Sequence, residues 1–233
     1  MMKLNNIVEI KATLVLKTGL HIGSGDSEMH IGGIDNAVIK NPITQKPYIP
    51  GSSLKGKIRS LLEWRSGAVI KEKPLSISDI KGSNAEMVKN ILRLFGVSAD
   101  SNKDEPVVKE IGVARLGFQD CEFTSDWEQY LEENNLSATE AKFENTINRI
   151  TSEAGNPRQT ERIPAGAKFD FKLTLRQFEN DSEDLIDLLL KGLRLLELDS
   201  LGGSGSRGYG KVEFQNLTVG DKAVNLKEIN PFA

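Results

Sequence analysis

From Lys168 to Arg176 the sequence alternates without a break. Phe169, Phe171, Leu173 and Leu175 fall on one side, and Lys168, Asp170, Lys172, Thr174 and Arg176 on the other. A two-residue period of that purity fits a strand with one buried and one wet face. Residues 8–16 repeat the pattern, with Val8, Ile10, Ala12, Leu14 and Leu16 opposite Glu9, Lys11 and Thr13. Two such strands need something to cover their apolar side, and two helical periods supply it. Tyr48-Ile-Pro-Gly-Ser-Ser53 leads through a serine cap into a helix over 52–66 with Leu54, Ile58, Leu61 and Leu62 on one stripe. Ser182 caps a second, with Glu183 and Asp184 in its first turn, Leu185, Leu188, Leu189, Leu193 and Leu196 behind, and a stop at Leu201-Gly-Gly203. Strand-like residues from Gly112 to Phe118 and from Tyr209 to Val219 complete the order strand, helix, strand, strand, helix, strand. That order predicts an α+β, ferredoxin-like (split βαβ) domain: an antiparallel sheet with helices on one face.

The rest of the chain reads as insertions on that frame. A further helix runs from the Asn84 cap to Gly96, with Met87, Ile91, Leu94 and Phe95 apolar. Residues 119–163 combine an acidic segment, helical from Ser125 to Glu133, with a polar stretch and a turn at Gly155-Asn-Pro157, and read as an insertion or hairpin projecting from the core. No internal repeat or low-complexity linker divides the 233 residues, so one domain with insertions is expected, its palm over about 7–118 and 164–219. No run approaches the roughly 18 apolar residues of a membrane helix, and the opening MMKLNNIVEIK has no apolar signal core. The expected compartment is the cytoplasm, with no membrane partner. Cys121 stands alone with only His21 and His30, which excludes an internal disulfide and argues against a zinc site.

The net charge of −3 hides a segregation. Between Lys40 and Lys73 there are eight bases against two acids, and between Gln119 and Asn145 eight acids against one base. A polyanion fits the first block and a basic partner the second; solvated faces are the plain alternative.

Two stretches imitate nucleotide-binding loops. Gly51-Ser-Ser-Leu-Lys-Gly-Lys57 matches a Walker A sequence until Ile58, where the magnesium-binding hydroxyl should stand. Gly203-Ser-Gly-Ser-Arg-Gly208 spells a dinucleotide fingerprint but follows a helix and precedes a strand, the reverse of the required context. No nucleotide cofactor is expected. What the second loop offers is backbone: Gly202, Gly203, Gly205, Gly208 and Gly210 bring amides close to a phosphate, with Ser204, Ser206, Arg207 and Lys211 as donors. The competing reading is a tight helix-to-strand turn. In helix 52–66, Lys55 and Arg59 lie four apart on one face near a positive helix end, which suits phosphate contacts that position RNA without reading sequence. Asp35, two residues beyond Gly32-Gly33 in a loop between extended segments, is the candidate carboxylate; a turn or cap residue is the bland alternative. RNA cleavage asks little more, because the 2′-hydroxyl is already attached to the substrate and needs alignment with the phosphorus and one base or metal ligand.

Five motifs in order then carry a family resemblance. They are Gly19-Leu-His-Ile-Gly-Ser-Gly25, Ile31-Gly-Gly-Ile-Asp35, Tyr48-Ile-Pro-Gly-Ser-Ser-Leu-Lys-Gly-Lys-Ile-Arg59, Asn156-Pro-Arg-Gln-Thr-Glu-Arg-Ile-Pro164 and Gly202-Gly-Ser-Gly-Ser-Arg-Gly-Tyr-Gly210. Together they resemble the RAMP superfamily and, more narrowly, the repeated backbone subunit of type III-A CRISPR (Csm) effector complexes. The resemblance implies an RNA-recognition-motif-like palm and a thumb hairpin within 119–163. It implies copies stacked in a filament along a guide (CRISPR) RNA, with other Csm subunits as partners. It implies that Asp35 cuts complementary target RNA at regular intervals with a transient divalent metal, Mg2+ or Mn2+, leaving 2′,3′-cyclic phosphate and 5′-hydroxyl ends. His21, Lys55, Arg59, Ser204 and Arg207 match family guide-RNA contacts, and Arg158 and Arg162 fall in the thumb. The chain lacks the Cys and His of the zinc insertion some relatives carry. Two other readings remain open at this point: a non-catalytic RNA-binding scaffold, and a metal-free guide-processing ribonuclease using His21.

Overall fold

The computed structural model describes residues 3–25, 36–97, 106–182 and 184–233. Both alternating segments are strands: β1 spans Leu4–Leu16, and they pair antiparallel with Ile10 opposite Leu173 and Leu14 opposite Phe169. In chain order the other elements are α1 (Gly51–Ser66), α2 (Ala85–Phe95), α3 (Pro106–Ile111), β2 (Leu116–Phe118), α4 (Ser125–Glu133), β3 (Glu140–Ile147), β4 (Ala154–Arg162), β5 (Lys168–Phe178), α5 (Asp184–Leu198), β6 (Val212–Val219) and β7 (Lys222–Ala223). The main sheet runs β2-β5-β1-β6-β7, and β3 and β4 form a separate hairpin. Without the β7 addition, that is the strand order of the ferredoxin-like frame, with every pairing antiparallel.

The alternation decides which face is dry. Ile10, Leu14, Phe169, Phe171, Leu173 and Leu175 are buried in the main core together with Leu54, Ile58 and Leu62 of α1 and Leu189, Leu193 and Leu196 of α5. The opposite face carries Glu9, Lys11, Lys172 and Asp170, with Glu9 paired to both Lys11 and Lys172. Phe169 and Phe171 thus point into the core, and no stacking pair of aromatic rings is presented on β1 or β5's wet face among the described residues. The helices meet at Gly192 of α5, where a Cβ would stand 2.8 Å from Ile58 Cγ2 and 3.0 Å from Leu62 Cδ1. No helix among the described residues is long and apolar enough to cross a membrane.

Several local expectations are corrected. Helix α1 begins one residue earlier than predicted, with Pro50 at its cap and no side-chain cap bond. Its first amide, on Gly51, donates to Asp120 Oδ1 at 2.8 Å, so a carboxylate of the chain itself takes the place a serine was expected to fill. The insertion is smaller than 119–163. Helix α4 lies on the core through buried Leu131 and half-buried Trp127, capped by Thr124 whose hydroxyl accepts from the Trp127 amide, and only the β3–β4 hairpin stands apart. Its turn is at Asn148–Glu153, where Asn148 Oδ1 accepts from the Ile150 amide at 2.9 Å. Gly155-Asn-Pro157 lies within β4 at a register irregularity, with Asn156 at φ 49°. Tyr209 precedes its strand rather than opening it, because the glycine-rich turn extends to Gly210.

The contact at Gly192 yields a test. Gly192→Val improves no contact and overpacks the α1–α5 seam, so urea denaturation should show a loss of about 1–3 kcal/mol with the m-value retained.

Candidate RNA-facing junction

Residues 17–24, just after β1, form a strip joined on both sides to other segments. On one side Leu20 and Ile163 exchange main-chain hydrogen bonds of 2.9 and 2.8 Å, tying the strip to the exit of β4. On the other, Gly203 donates to His21 O at 2.9 Å, Gly210 to Gly19 O at 2.9 Å, and Lys17 to Lys211 O at 2.8 Å, tying it to the glycine-rich turn. Further along, Ile39 donates to Ile22 O at 2.8 Å and Ser24 to Ala37 O at 3.3 Å. Three sequence motifs far apart in the chain therefore share one junction.

Glu161 of β4 is the node of that junction. Its side chain, 3% exposed, accepts from the Val38 amide at 2.9 Å and from Lys40 Nζ at 2.7 Å. Its own amide donates to Asn36 O at 3.0 Å. Its carbonyl lies 2.7 Å from His21 Nδ1. A carbonyl oxygen only accepts, so Nδ1 carries a proton and the neutral ring keeps its lone pair on Nε2, beside Gly23. Burial opposes ionisation of Glu161, but Lys40, the Thr139 hydroxyl and the Val38 amide outweigh it and hold the carboxyl below its usual range.

The glycine turn is shaped from within. Gly210, at φ 72°, would drive a Cβ into Leu201 O, and Gly202, also at φ 72°, would drive one into His21 O. The internal packing explains these glycines as well as any ligand does. Gly203 and Gly208 are different: a Cβ at Gly203 would meet nothing nearer than 3.8 Å, and one at Gly208 nothing within 4 Å. That side of the turn is open to an incoming backbone. Exposed Arg207 donates to Ser204 Oγ at 2.6 Å and to Glu144 Oε2 at 2.7 Å.

Of the residues singled out from sequence, His21, Ser204, Arg207 and Arg162 are brought together here. Arg162 crosses Gly19, where a Cβ would lie 2.6 Å from its Cδ and Nε, and donates to Glu140 Oε1 at 2.6 Å. Arg158 is exposed on the hairpin, opposite Glu144 in the ladder. Lys55 lies on α1, half-buried. Arg59 departs from the expected exposed face: it donates to Glu63 Oε1 at 2.7 Å, Leu75 O at 2.9 Å and Gly96 O at 3.2 Å, bracing α1 against the segment that leads to and from α2. The basic block is largely neutralised in the same manner, by Lys40–Glu161, Lys46–Glu128, Lys57–Asp199 and Lys71–Asp79. Lys46–Glu128 joins the two charge blocks directly. Asp35 lies outside the described residues, as do Asp26 and His30; its described neighbour, Asn36, is the residue bonded to Glu161. Among the described residues, no group of three or more His, Cys, Asp or Glu side chains is placed to hold a metal ion.

Sequence reasoning missed Glu161, Glu144 and Tyr209. Tyr209 left a legible signal, the one aromatic residue in a turn otherwise built of glycine, serine and arginine; Glu161 left none beyond its place between Arg158 and Arg162.

The comparisons with known proteins match this geometry in extent. The profile of the RAMP superfamily aligns with residues 13–213, from β1 into β6. The chain belongs to the RAMP superfamily. It is 46% identical over 213 residues to the "CRISPR system Cms endoribonuclease Csm3" of Streptococcus thermophilus, covering 90% of this chain and 88% of that one. It is 39% identical to the protein of the same name from Methanothermobacter thermautotrophicus, covering 92% and 86%. Among solved structures it resembles a chain of the Csm3–Csm4 subcomplex of the type III-A CRISPR-Cas interference complex, with TM-score 0.54 and 27% identity over 92% of this chain and 78% of that one. A chain of the type III-B Cmr-β complex bound to cognate target RNA shares the fold, with TM-score 0.57 and 16% identity over 91% and 60%.

Glu161 gives the prediction of this site. Glu161→Gln removes the charge facing Lys40 and should cost about 1–3 kcal/mol at neutral pH by urea denaturation. A carboxyl held below its ordinary pKa of 4.5 stabilises fully above that value and less as pH falls through its lower folded value. The gap between wild type and Glu161→Gln should therefore shrink below about pH 4.5.

Proposed function

We propose that this chain is the repeated backbone subunit of a type III-A CRISPR effector complex and an endoribonuclease that cleaves target RNA paired to the guide. The observation that carries this reading is identity of 37–46% with proteins named Csm3 endoribonuclease over about nine tenths of the chain. The junction supports it physically, since an open glycine turn, an exposed arginine and the His21 imidazole suit a sugar-phosphate backbone. His21, Lys55, Ser204, Arg207, Arg158 and Arg162 are the residues we assign to RNA, with Arg59 as a brace. Sequence specificity then comes from pairing between guide and target, the protein gripping shape and charge. The partners are guide RNA, target RNA, further copies of the chain and other Csm subunits, in the cytoplasm, and the acidic block around α4 is the surface offered to a basic neighbour.

We assign the chemistry to Asp35. The 2′-hydroxyl oxygen attacks the adjacent phosphorus as its proton is taken up, the bond to the 5′-oxygen breaks, and that oxygen is protonated, leaving a 2′,3′-cyclic phosphate and a 5′-hydroxyl. A divalent ion, when bound, stabilises the charge that builds on the phosphate oxygens. One carboxylate plus substrate phosphates is an ordinary magnesium set. Glu161 and the strip 17–24 hold Asn36 and Ala37, which follow Asp35 in the chain.

The test is cleavage of a labelled RNA complementary to the guide, by complexes assembled with wild type or Asp35→Ala, each with Mg2+ and with a chelator. Asp35→Ala should retain guide and target but cut at least about a hundredfold more slowly, and the chelator should stop wild type. Unchanged cutting by Asp35→Ala makes the chain a scaffold. Cutting that survives the chelator returns attention to His21.

A further inference from the structure

The strand ladder gives β3 one partner, β4. Among the described residues, what ties β3 to the palm is side chains converging on the glycine turn. Tyr209, wholly buried, donates its hydroxyl to Glu144 Oε1 at 3.0 Å, and Arg207 holds Glu144 Oε2 at 2.7 Å. Lys142 Nζ lies 4.3 Å from the Tyr209 ring centroid and the Arg162 guanidinium 5.1 Å from it, so a cation from each hairpin strand attends one ring. Glu144 also pairs with Lys142 at 3.4 Å. The buried Tyr209 hydroxyl and both Glu144 carboxylate oxygens have partners, and a satisfied network anchored on a buried ring resists motion.

The cluster also divides the hairpin. From Glu140 to Glu144 the ladder against Arg162 to Arg158 is regular; immediately beyond Glu144 the register slips, and the remaining pairs, Thr146 with Gly155 and Ile147 with Ala154, lie past that irregularity. Lys142 and Glu144 turn toward the glycine turn, while Phe143 and Ile147, on the alternate side of the strand, are 69% and 45% exposed. The base of the hairpin is thus clamped on one side, and its outer part leaves the clamp through a bend.

We infer that Tyr209 and Glu144 form a latch that makes the glycine turn and the base of the hairpin one rigid body, so that they are positioning residues setting where along a bound RNA the hairpin rests and hence which phosphate is cut. The inference rests on the proposed endoribonuclease function for its second half only. The latch itself exists without RNA.

Tyr209→Phe keeps the ring and its two cations and removes only the hydroxyl. In the free chain, amide hydrogen exchange at 140–147 should rise about five- to tenfold while exchange in β1 and β5 stays at the wild-type rate. In the assembled complex with a guide and a labelled complementary RNA, guide retention should be unchanged, and the products should spread from the wild-type cut positions to neighbouring phosphates. Adding Glu144→Ala to Tyr209→Phe should raise hairpin exchange less than the two single effects combined, since both act on one bond. Wild-type exchange at 140–147 in Tyr209→Phe overturns the latch, as does a rise spread evenly over the palm. A product pattern as sharp as wild type overturns the positioning role. If the wild-type complex itself leaves RNA whole, the functional reading fails and the exchange measurement alone decides the latch.

Discussion

One buried carboxylate holds the working end of this molecule together. Glu161 bonds through its side chain to Val38 and Lys40, through its amide to Asn36 and through its carbonyl to His21. A buried acid is tolerable only when its oxygens are satisfied, and here an amide, an ammonium and a hydroxyl do so. The consequence is geometric. The hairpin, the segment that follows Asp35 in the chain and the strip after β1 cannot shift relative to one another without stripping partners from a charge that water no longer reaches.

The palm beneath it explains why such a junction can be rigid. The sheet and helices α1 and α5 bury a continuous apolar layer, with α5 drawn against α1 at Gly192. The loops at the end of β1 then start from fixed positions, and polar side chains among them can afford specific bonds rather than general solvation. The chain spends its apolar residues on one face and its charge pairs on the other.

How much of this was legible in the sequence follows the range of the forces involved. The alternations at 8–16 and 168–176 and the leucine stripe of α5 are local, and each was readable because one face of a strand or helix must be dry. The acidic segment read as helical from Ser125 to Glu133 is α4 with those bounds. What escaped was set by contacts between segments distant in the chain, from 16 to 69 residues apart: Asp120 replacing the expected serine cap, Arg59 turning inward to carbonyls of Leu75 and Gly96, and Tyr209 finding Glu144. The positions of His21, Ser204, Arg207 and Arg162 were named from motifs, yet their convergence belongs to the fold, because it needs Leu20 paired with Ile163 and Gly203 with His21.

Asp120 has an effect beyond ending a helix neatly. The amino end of α1 is the feature from which many phosphate sites are built, and here the chain has already filled it with its own negative charge. A phosphate approaching that end meets a like charge, whereas the side of the turn at Gly203 and Gly208 is open space beside Arg207. The chain thus closes the helix-end berth with its own carboxylate, and an anion beside the start of α1 is left to a side chain, Lys55, rather than to the first amide of the helix.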